Sequence, residues 1–114
     1  MYRLLLSVAF ISLSTACQSR AAERPKILLI AGSPSHGYGS HEHFAGLKIL
    51  EESLKNRSDD VDVRVVRGWP NDDSLIEAAD SIVIYCDGGK RHLAAPNLGR
   101  LTEKLSQGCG LVCI

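Results

Sequence analysis

All four histidines of this chain fall in two short stretches. His36, His41 and His43 lie in one, and His92 lies in the other, five residues after Asp87. Neutral imidazoles with a carboxylate are the donor set of zinc and similar divalent ions. The same groups serve as general acid and base near neutral pH. His36, Asp87 and His92 are therefore the candidate catalytic residues. His36, His41, His43 and His92 are the candidate ligands of a divalent metal such as zinc. No H-E-x-x-H motif is present. His41 and His43 stand at i, i+2 where a helix is expected to begin, and there their rings diverge by about 200°. The spacing thus predicts that at most one of the pair joins His36.

Whether these residues meet depends on the elements that carry them. Lys26 to Ala31 is a continuous apolar run ended by Gly32-Ser-Pro34, the pattern of a strand buried on both faces. Phe44, Leu47, Leu50, Glu51 and Leu54 recur at helical spacing, which predicts a helix over 41–56 with Ser40 as its N-cap. Val61, Val63, Val65 and Val66 mark a second strand, broken by Gly68-Trp-Pro70. A short helix is expected over 71–79, with Ser74 and Glu77 at capping-box spacing. Ser81 to Cys86 reads as a third buried strand, stopped by Asp87-Gly-Gly89. Pro96 to Gln107 reads as a third helix ended by Gly108, and Gly110 to Ile114 opens a fourth strand.

The alternation β-α-β-α-β-α-β predicts an α/β domain: a parallel, flavodoxin-like sheet with right-handed crossovers and strand order 2-1-3-4. In such a sheet the loops after the strands share the carboxyl edge, where ligands bind. The order places strands one and three side by side, about 5 Å apart. Both histidine stretches then lie on one edge, with Ser33, Ser40, Gly88 and Gly89 as candidate ligand-binding positions. A fourth strand with no helix after it leaves apolar surface uncovered, so the pattern predicts the N-terminal part of a larger domain, truncated after strand four.

The chain has 114 residues, 45% hydrophobic and 23% charged, with 13 basic against 13 acidic residues. That composition excludes disordered and collagen-like chains. Zero net charge and few aromatics argue against a nucleic-acid partner. Residues 1–22 read as an export signal: Arg3, then the apolar stretch Leu4–Leu13, too short to span a bilayer, then small residues. Leu13-Ser-Thr-Ala-Cys17 resembles a lipoprotein box, with Ser14 where an aliphatic residue is usual; the alternative is ordinary signal cleavage near Ser19 to Ala22. The expected location is accordingly the periplasm or a membrane anchored through lipid at Cys17. Cleavage after residue 22 leaves 11 basic against 13 acidic residues.

Three further cysteines do not form a tidy disulfide framework. Cys86 and Cys113 end apolar runs and are expected to be buried strand residues. Cys109 and Cys113 lack C-x-x-C spacing. Gly32 and Gly37 have the spacing of a P-loop, but Tyr38 occupies the lysine position. Gly37-Tyr-Gly39 is not completed to G-x-G-x-x-G. Ile30 to Pro34 is similar to the phosphate loop of flavodoxin-like FMN reductases, without the hydroxyls and the basic residue usual after the proline.

Lys26 to Gly32, the run His36-Gly-Tyr-Gly-Ser-His-Glu-His43 and Phe44-Ala-Gly46 together resemble the opening of ThuA-like (trehalose-utilisation) domains. Gly68-Trp-Pro70, Tyr85-Cys-Asp-Gly-Gly89 with His92, and Gly108 to Ile114 resemble the next landmarks of the family's exported bacterial branch. The resemblance covers about residues 25–114. It implies the class I glutamine amidotransferase-like fold and a role in sugar utilisation. The related amidotransferases carry a cysteine nucleophile at the elbow after the fourth strand, whereas ThuA-like domains usually continue there with a histidine. Cys113 lies within the strand and is not the elbow residue, so glutaminase chemistry is not implied. Two readings follow. One is a carbohydrate-related hydrolase or lyase, metal-assisted or acid–base. The other is a non-catalytic periplasmic module that binds a sugar or an anion.

Overall fold

The computed structural model describes residues 23–114. Residues 1–22, read above as an export signal and including Cys17, lie outside the described residues. Strand β1 spans Lys26–Ala31, β2 Asp62–Arg67, β3 Ser81–Tyr85 and β4 Gly110–Cys113. Between them lie helices α1 (His43–Arg57), α2 (Asp73–Ala78) and α3 (Leu98–Ser106). The four strands form one parallel sheet in the order β2-β1-β3-β4. This is the flavodoxin-like α/β arrangement, with β1 and β3 at the centre.

The period-2 alternation of strand side chains divides the core in two. Leu28, Ile30, Ile82 and Ile84 face one side, where they meet Ile76 and Ala79 around α2, Ala94, and Leu101 of α3. Leu29, Ala31, Val63 and Val83 face the other side and meet Leu47 of α1. Both faces of β1 are thus covered, which explains its unbroken apolar run.

Three element starts differ from expectation. α1 begins at His43, not at residue 41, and its N-cap is Glu42; no side chain caps it. Ser40 is not the cap. Its amide instead donates to the Gly37 carbonyl at 3.1 Å, within a loop closed by an antiparallel bridge between Ser35 and His41. That bridge holds His41 in extended backbone and delays the helix. At α2 the cap is Asp72, whose carboxylate accepts from the Ser74 amide at 3.0 Å, so Ser74 lies inside the capped turn. Pro96 sits in a 3-10 turn, Ala95–Asn97, that precedes α3.

The cysteines are less buried than their runs suggest. Cys86 and Cys109 are half-buried and Cys113 is exposed. β4 pairs only with β3, and among the described residues no element covers it, so every residue of β4 is exposed. Burial of a strand residue comes from the layers over it, and periodicity alone does not supply them.

Candidate functional site

The sheet order sets the site. Ala31 at the end of β1 is registered with Tyr85 at the end of β3, and the Gly32 amide donates to the Tyr85 carbonyl at 2.7 Å. The loops bearing the histidines and Asp87 therefore leave the carboxyl edge side by side. The approach is close: a Cβ on Gly32 would stand 2.6 Å from the Cys86 Cβ. Only glycine lets the two strand ends run so near.

Asp87 is the centre of the constellation. His41 Nδ1 lies 3.0 Å from Asp87 Oδ1 and 2.9 Å from Ser35 Oγ. His43 Nε2 lies 3.6 Å from the same Asp87 oxygen. The Ser35 hydroxyl holds the Asp87 carboxyl below the usual carboxylate range; partial desolvation opposes it and His41 adds to it. A carboxylate kept ionised in this way is ready to orient an imidazole or to bind a cation.

The tautomers follow from the partners. His43 is buried, and its Nδ1 stands 3.0 Å from the Ser33 carbonyl oxygen, which can only accept. Nδ1 of His43 therefore carries the proton. In the neutral ring Nε2 is bare and faces the Asp87 oxygen, lone pair to lone pair. A proton on Nε2, or a cation shared by both atoms, satisfies that contact. The separation of 3.6 Å is close to the ligand–ligand distance set by metal bonds of about 2.0–2.2 Å in a tetrahedral site. For His41, donation from Nδ1–H to Asp87 leaves Nε2 free as a base or ligand, the carboxylate–histidine arrangement.

His36 completes the group from a strained position. Its φ is 63°, in the left-handed region, which costs a non-glycine residue about 1–2 kcal/mol. Its ring meets that of His41 edge-on, with centroids 4.5 Å apart. One ligand atom from each of His36, His41 and Asp87 falls within 4.8 Å of the others. Three donors of this kind, exposed on one side, fit a divalent ion with an open position for water or substrate. His36, His41 and Asp87 would hold that ion, and it would supply Lewis-acid polarisation.

His92 is used differently. Its Nδ1 accepts from the Ala94 amide at 3.1 Å and so shapes its own turn, and among the described residues it is not part of the three-residue group. Ser33 contributes its carbonyl to His43, and Ser40 its backbone to the loop. Gly88 joins Ser33, Ser35, Asp87 and Arg91 around a groove of about 350 Å³ beside the cluster. Gly89 begins the 3-10 turn Gly89–Arg91. Ser35 was not singled out from the sequence. Its one signal is its place beside His36 in the same loop. A larger hollow of about 570 Å³ lies at the opposite, amino edge, between Lys26, Lys55 and Asp62. It contains no histidine and no convergent donor set, so the chemistry points to the carboxyl edge.

The fold and site together define an α/β protein of flavodoxin-like topology with an imidazole–carboxylate cluster on the carboxyl edge of the sheet. No protein-family model matches the chain, and neither a curated protein nor a solved structure matches it.

Proposed function

We propose that this chain is an exported ThuA-like domain whose cluster performs hydrolase or lyase chemistry on a carbohydrate. The observation that supports this most is the convergence of His41 and His43 on Asp87 Oδ1. Asp87 orients His41 through Nδ1, and the free Nε2 takes a proton from water or from a sugar hydroxyl. The proton taken by His41 is returned to the leaving oxygen as the bond breaks, while His43, buried behind the carboxylate, packs against Asp87 and helps to fix it. In the metal-assisted alternative, a divalent ion on His36, His41 and Asp87 would take the free His41 nitrogen as a ligand and would polarise the bound oxygen in place of that base.

Zinc titration of the full chain by calorimetry, with turnover of a panel of hexose glycosides, tests the proposal. The expected result is stoichiometric zinc, lost in His41→Ala and Asp87→Ala, and glycoside turnover that fails in the same variants. Turnover that survives chelation assigns the acid–base form. Sugar binding without turnover, in wild type and both variants alike, overturns the enzyme reading in favour of a non-catalytic sugar- or anion-binding module.

A further inference from the structure

We propose that Tyr38 is the stacking residue for a pyranose ring at this site, an assignment that rests on the carbohydrate reading above. Tyr38 is the most exposed large apolar side chain of the described residues, at 105% of its reference area. In the sequence it lies between His36 and His41, two of the three residues that could share an ion.

The backbone presents this ring on a turn already formed. The Ser40 amide donates to the Gly37 carbonyl at 3.1 Å, and Gly39 takes a φ of 77°, the conformation a type II turn demands at its third residue. The Gly39 amide donates to Glu42 Oε1 at 3.3 Å, and the Ser35–His41 bridge closes the base of the loop. Three contacts and one glycine torsion thus hold a seven-residue loop whose only large side chain at the tip packs on nothing. Binding there immobilises a ring with two torsions and little else.

The surroundings select the occupant. Ser35, His36, Ser40 and His41 are the polar side chains of the loop, and the other exposed large apolar residues belong to other elements, such as Ile49 of α1 and Val112 of β4. One aromatic among hydroxyls and imidazoles is too small for a protein partner, which needs about 800 Å² per side with an apolar centre. A pyranose matches it. Its C–H face covers the tyrosine ring, while its hydroxyls meet the serines and imidazoles. The base of the same loop, at Ser33, Pro34 and Ser35, lines a groove of about 350 Å³ with Asp87, which is of monosaccharide size.

The test is titration of the full chain with methyl glycosides of the common hexoses and, separately, with sorbitol, which has the hydroxyls without the ring. Wild type should bind a pyranoside more tightly than sorbitol. Tyr38→Ala should lose about tenfold in pyranoside affinity, and Tyr38→Phe less than about twofold. Sorbitol affinity should not change in either variant. Because Tyr38 makes no packing contact, both variants should melt with wild type. Wild-type pyranoside affinity in Tyr38→Ala, with sugar still bound by wild type, overturns the assignment alone. A wild-type chain that binds no pyranoside overturns it together with the carbohydrate reading.

Discussion

His41 Nδ1 lies 3.0 Å from Asp87 Oδ1 across 46 residues of chain. Neither residue is in a regular element: one precedes α1, the other follows β3. Their contact exists because β1 and β3 are neighbours, and it turns two exposed loop residues into an oriented imidazole–carboxylate pair.

Among the glycines of the described residues, Gly32 leaves the least room for a side chain. Gly32→Ala places a methyl 2.6 Å from the Cys86 Cβ and 3.0 Å from its Cα, and neither strand end can retreat without breaking the central pairing. The expected loss is about 1–3 kcal/mol in urea denaturation. An unchanged midpoint would show that the strand ends separate freely.

His43 and His41 should separate stability from chemistry. His43 is buried, bonds the Ser33 carbonyl and meets the Tyr85 ring edge-on at 4.8 Å. His43→Ala should cost about 1–3 kcal/mol. His41 is nearly half exposed, and His41→Ala should change stability by less than about 0.5 kcal/mol while abolishing zinc binding. Equal destabilisation by both substitutions would contradict this division.

Asp87 should leave a mark on the pH dependence of stability. Its folded carboxyl is held below its ordinary value of 3.8 by Ser35 and His41. A depressed carboxyl contributes stability above its unfolded pKa, and that contribution vanishes as pH falls through the lower folded value. The stability gap between wild type and Asp87→Asn should therefore be full near pH 6 and should close below about pH 4. Chemical denaturation at a series of pH values reads it. A gap that persists unchanged at pH 2 would mean that the carboxylate charge is not its source. Glu51, paired with Lys48 and Lys55 on α1, titrates with the same sign but is common to both proteins and cancels.

The lipid branch of the export reading rests on Cys17. Expression in a Gram-negative host with labelled palmitate should label the wild-type chain and not Cys17→Ser. Label retained by the variant would place the modification elsewhere, and no label on either would favour ordinary signal cleavage.

The sequence by itself determined the sheet and the side of it that matters. Its apolar runs define strands, because a central strand covered on both faces must be apolar throughout. The right-handed crossover then orders them and sends His36, His41, His43 and Asp87 to one edge. Tertiary structure alone decided which of them meet. The Ser35–His41 bridge moved the start of α1 to His43, so both rings reach Asp87, while only His41 of the pair joins His36 in the three-residue group, as its spacing predicts. Ser35 joined because its loop folds back across the end of β1, while His92 turned to its own Ala94 amide. The exposure of Cys113 likewise reflects an edge strand without a covering layer among the described residues. Each of these outcomes depends on contacts between distant residues or on one backbone torsion, such as that of His36, and neither leaves a period in the sequence to be read.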